Sequence, residues 1–125
     1  MKYLRKTIGY KQSLGFIIGL DNLINLDKWH QWQELLKWCH LIILRRSLNK
    51  QYTQNNILKN WIQNHATTDY SILNKNPFGH IFFSNTPYID ISSTQIRKLV
   101  KNKYSCAHLL PVSIINYIQK HKLYI

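Results

Sequence analysis

The chain has 125 residues, enough for one domain with a buried core. Its net charge of +12 suggests nucleic acid at first sight, but the lysines are scattered rather than gathered in a basic run, and Lys, Asn and Ile all have AT-rich codons, so no nucleic-acid partner is expected. No apolar run reaches the ~18–20 residues of a membrane helix and no signal-peptide core follows the basic start, so the sequence reads as cytoplasmic, with no membrane partner.

Leu14 to Gly19 is a short apolar run without alternation, the pattern of a parallel strand buried on both faces. Asn22 to Asp27 can hold one helical turn. From Trp29 to Trp38 the apolar residues recur mainly every three or four positions, which predicts an amphipathic helix. His40 to Leu44, closed by Arg45 and Arg46, is a second buried-strand run. The first third therefore reads strand, helix, strand, the unit of a parallel α/β sheet. Asn55 to Asn64 is a further helix, Ala66 to Pro77 a loop, and His80 to Phe83 a third strand. Pro87 to Ile91 is extended. Helices over Ser93 to Lys101 and Pro111 to His121 end the chain, with Pro111 suited to a first helical position. Cys39 and Cys106 stand in no ligand-like spacing and read as buried small residues, so neither a disulfide nor a metal site is expected.

Three features carry candidate chemistry. Ser92 followed by Gln95 makes a capping box, so a helix begins there. Its open backbone N–H groups, the hydroxyls of Ser93 and Thr94, and Arg97 one turn in could together hold a phosphate. A plain helix start with solvated hydroxyls fits the same residues. Gly19 and Asp21 follow a strand, where ligands of doubly wound sheets bind. Gly19 would let a ligand approach the backbone, and Asp21 could accept hydrogen bonds from a ribose or an amide. An ordinary strand-end turn is the plain alternative. Trp29, beside His30, could stack on a flat heterocycle, although tryptophans at helical spacing commonly belong to a core.

Phe-Ile-Ile-Gly-x-Asp, a Trp eight residues after that Asp, a strand ending in Arg-Arg, Ile-Ser-Ser-Thr-x-Ile-Arg and a terminal Leu-Tyr occur here in order. In this the chain resembles the bacterial nicotinate-mononucleotide adenylyltransferases, from about Leu14 to Tyr124. The resemblance implies a Rossmann-like nucleotidyltransferase fold, a parallel sheet with flanking helices, in a single domain over residues 1–125. It implies adenylyl transfer from ATP, with Mg²⁺, to nicotinate mononucleotide. It implies that Gly19, Asp21, Trp29 and His30 bind the mononucleotide, and that Ser93, Thr94, Arg97 and Arg46 bind ATP phosphates.

Two departures stand out. The family continues Arg-Pro-Gly after its second strand, whereas Ser47 and Leu48 follow Arg46 here. The family also opens with Thr-Phe-Asp-Pro-x-His-x-Gly-His, whose histidines meet the ATP phosphates. No His-x-Gly-His occurs in this sequence, and Phe78-Gly79-His80 precedes a strand instead of a helix. The expectation is an N-terminally truncated, C-terminal portion of such a domain, with no catalytic residue of its own. A noncatalytic nucleotide-binding remnant and a basic nucleic-acid-binding module are the alternatives.

Overall fold

The computed structural model describes residues 1–44, 55–87 and 89–125. They divide into two units, residues 1–88 and 89–125. The first contains α1 (Lys2–Ile8), β1 (Gly15–Gly19), α2 (Leu20–Leu23), β2 (His40–Leu44), α3 (Asn56–His65), β3 (Ala66–Thr67), α4 (Ser71–Lys75) and β4 (Ile81–Phe83). The second contains α5 (Ser93–Lys101) and α6 (Val112–Lys120).

The four described strands form one sheet in the order β1-β2-β4-β3, with every neighbouring pair parallel. Gly15 lies opposite His40 and Gly19 opposite Leu44. Leu41 lies opposite Ile81, which on its other side faces Ala66. Leu41, Ile43 and Ile81 are fully buried, and Leu23, Leu26 and Leu58 pack with them from the connecting segments. Parallel strands need crossovers with an apolar face, and those leucines supply it.

Several expectations change. The β1 run is not buried on both faces: Ile18 and Gly19 are buried, but Ile17 is 59% exposed, because β1 is an edge strand among the described residues. No α-helix spans Trp29 to Trp38. A 3₁₀ turn at Leu26–Lys28 and a 3₁₀ helix at Trp32–Lys37 stand there, separated by an extended Trp29 and a left-handed Gln31 (φ 51°). Trp32 and Leu35 stand three apart, a spacing that shares a face in either kind of helix, so the sequence pattern does not separate them. The stretch read as a loop from Ala66 to Pro77 holds β3 and α4. Pro111 caps α6 rather than opening it.

Helix α1 carries no apolar signature, and the sequence pattern does not reveal it. It is anchored by Arg5, which is fully buried. The guanidinium Nε donates to Trp38 O at 2.8 Å, Nη1 to Gly9 O at 2.9 Å and to Gln12 O, and Nη2 to Pro77 O at 2.7 Å. The Phe78 ring lies against it, 5.4 Å from centroid to Cζ. Buried charge is tolerated where fixed dipoles meet its donors, and backbone carbonyls meet four of the five N–H groups here in place of a carboxylate.

Candidate functional site

Ligands of open parallel sheets gather outside the carboxyl ends of the strands. Gly19 ends β1 there and caps α2 with φ −77° and ψ 159°, a conformation open to any residue. The backbone there does not itself require a glycine. Asp21 lies in the first turn of α2, exposed, and its backbone carbonyl accepts from Asn25 Nδ2 at 3.1 Å. The chain then turns through Leu26–Lys28 and delivers Trp29 back toward β1. The indole is 36% exposed and lies 6.3 Å from the Phe16 ring, tilted by 49°. Trp29 thus stays partly open to solvent while it packs on a residue of the strand. His30, next in sequence, is exposed. The Trp29 N–H already donates to Leu26 O at 2.9 Å.

Sequence reasoning missed two supports of this crossover. Phe16, three residues before Gly19, braces Trp29, and its place in the Phe-Ile-Ile-Gly run was the available signal. Asp27 accepts from Asn55 Nδ2 at 2.9 Å through Oδ2. Asn55 in turn caps α3, its Oδ1 accepting from Ile57 N at 2.9 Å and Leu58 N at 3.4 Å. The crossover is thereby tied to the start of α3. The other oxygen of Asp27, Oδ1, is buried and meets no hydrogen-bond donor among the described residues. No short sequence pattern signals a pairing across 28 positions.

In the second unit α5 starts where the capping pattern places it. Ser92 Oγ accepts from Gln95 N at 3.1 Å. Ser93, Thr94 and Arg97 are exposed, and Arg97 Nη2 donates to Thr94 Oγ1 at 3.2 Å. A guanidinium and two hydroxyls thus share the first turns of a helix whose N-terminal amides and dipole favour an anion. Arg46 lies outside the described residues. Among the described residues no three His, Cys, Asp or Glu side chains gather as a metal site, and no helix is long and apolar enough to cross a membrane.

A four-stranded parallel sheet joined through helical crossovers defines an α/β protein. The chain belongs to the cytidylyltransferase-like family, whose model matches residues 3–99. It is 41% identical over 124 residues to a probable nicotinate-nucleotide adenylyltransferase of Yersinia pestis (strain Pestoides F). It is 46% identical over 124 residues to one of Buchnera aphidicola subsp. Schizaphis graminum. Each match covers 99% of this chain and 56% of the relative, so the chain spans little more than half the length of these relatives. Among solved structures, Plasmodium falciparum nicotinic acid mononucleotide adenylyltransferase complexed with APC superimposes with a TM-score of 0.60 at 18% identity, covering 98% of this chain and 55% of that one. The fold is therefore the Rossmann-like nucleotidyltransferase fold.

Proposed function

We propose that this protein takes part in adenylyl transfer from ATP to nicotinate mononucleotide in NAD biosynthesis, in the cytoplasm. The observation that carries this reading is 41–46% identity, along 99% of the chain, to proteins bearing that activity in their names. The P. falciparum protein, solved also in complex with NaAD, points the same way. In the reaction a phosphate oxygen of the mononucleotide attacks the α-phosphorus of ATP. The bond from that phosphorus to the bridging oxygen of the β-phosphate breaks, and pyrophosphate leaves. Such transfer depends chiefly on positioning and charge neutralisation.

Trp29, braced by Phe16, would cover the pyridine ring, with Gly19 giving it room and Asp21 accepting hydrogen bonds. With the Trp29 N–H spent on Leu26 O, the backbone N–H of His30 is the candidate donor to the pyridine carboxylate. Ser93, Thr94 and Arg97, with Arg46, would hold ATP phosphates. Mg²⁺ would arrive on ATP, since it commonly binds through substrate phosphates and one or two carboxylates. No catalytic residue is assigned within this sequence, because it contains no His-x-Gly-His. The family match runs across both units, from residue 3 to 99, which supports their reading as one domain.

Calorimetry with nicotinate mononucleotide and with ATP tests the assignment. Trp29→Ala should weaken mononucleotide binding by about 1–3 kcal/mol, the usual worth of aromatic stacking and ring burial, and leave ATP nearly unchanged. Equal losses for both ligands, or no mononucleotide binding by the unmodified protein, would overturn it.

A further inference from the structure

At the amino-terminal end of β2 stands a histidine with both ring nitrogens committed. His40 is fully buried. Its Nε2 lies 2.8 Å from Asn76 O, a carbonyl that can only accept, so Nε2 carries the proton. Its Nδ1 accepts the backbone N–H of His80 at 3.1 Å, so Nδ1 carries none. Together the two bonds specify one neutral tautomer. They hold the segment Asn76 to His80 that leads into β4. The same segment is bound by Leu14 N–H to Pro77 O at 3.1 Å, Gly79 N–H to Cys39 O at 3.2 Å and Leu41 N–H to His80 O at 2.9 Å.

The surroundings oppose a second proton. From α1 the buried Arg5 guanidinium reaches Pro77 O. From the β4 side the His80 ring lies 5.4 Å away, centroid to centroid, with its own Nδ1 buried and without a hydrogen-bond partner among the described residues. On β2's own approach, burial pushes the Cys39 thiol up to about 11, so it stays neutral. The bonds described above run to backbone groups, and none brings a carboxylate to His40. Burial holds His40 below the ordinary histidine range; the Asn76 carbonyl works against this, and the charges of His80 and Arg5 add to it. A proton on Nδ1 would face the His80 N–H donor to donor, with an imidazolium buried near a guanidinium.

We infer that His40 and the segment Asn76 to His80 form a proton-operated latch, closed while His40 is neutral and released, together with the lead into β4, when it is protonated. The unfolded chain protonates this histidine at a higher pH than the folded chain does. Between the two values the unfolded state binds more protons, so stability falls as pH drops through ~6.5 and levels off below the folded value.

The test is made on the full chain between pH 7.5 and 5. Histidine ring ¹⁵N shifts should show His40 as the Nε2–H tautomer at neutral pH, titrating below 6.5. Over that titration the exchange protection of the Gly79 and His80 amides should fall by up to tenfold per pH unit. His40→Asn keeps an acceptor near the Nδ1 position and cannot be protonated, so protection should become flat with pH. A Nδ1–H tautomer, titration without loss of protection, or a His40→Asn chain with the original pH dependence would each overturn the latch. Should His40→Asn fail to fold, the ring titration and exchange in the unmodified chain decide.

Discussion

Replacing Arg5 by methionine should be among the most damaging single changes to the first unit. Methionine matches the apolar stem and removes every donor. Trp38 O, Gly9 O and Gln12 O then lose a charged partner, while Pro77 O keeps the Leu14 N–H. A hydrogen bond to a charged group contributes ~1.5–3 kcal/mol net, and a stranded buried acceptor costs ~1–3 kcal/mol. Three such losses are offset in part because no charge need be desolvated any longer. The expected net loss is about 3–5 kcal/mol, against ~5–15 kcal/mol for a whole domain. Arg5→Lys should recover less than half of it. A single ammonium cannot reach carbonyls at residues 9, 12, 38 and 77, which the planar fork spans. Urea unfolding followed by tryptophan fluorescence at constant pH reads the change through the midpoint. An Arg5→Met chain within about 1 kcal/mol of the original, or a lysine variant indistinguishable from it, would show that the four carbonyls do not need this guanidinium.

Cys39 should resist alkylation by iodoacetamide at pH 8. It is fully buried and its thiol is pushed up to about 11, so about a hundredfold less thiolate is present than for an ordinary cysteine. Mass spectrometry should find it modified only in denaturant, and rapid labelling of the folded protein would contradict this. Moderate salt should raise the melting temperature. The chain carries +12, and among the described residues the sole ion pair is Lys37 with Glu34, so screening removes more repulsion than attraction. A melting temperature that falls between about 0.05 and 0.2 M potassium chloride, the range over which the Debye length halves, would show that attractive pairs dominate.

The elements legible in the sequence are those whose causes are local. Gly15 to Gly19 makes β1 and His40 to Leu44 makes β2, because short apolar runs bounded by turn residues favour strands. Ser92 announces α5 because the cap bond spans three residues. Gly19, Asp21 and Trp29 fall within ten residues of the end of β1, so their common crossover was also readable.

Tertiary structure alone decided the rest. The choice between an α-helix and a 3₁₀ segment at Trp32–Lys37 followed from the left-handed Gln31 and the packing of Leu36, not from apolar spacing. The exposure of Ile17 follows from β1's place at the sheet edge, which its composition does not encode. Arg5 looks like a surface residue in a basic chain, and His40 opens an apolar run that gives no sign of its partners, yet both are fully buried. Their burial depends on carbonyls brought from residues up to 72 positions away, and those acceptors converge only once β2 and β4 lie side by side.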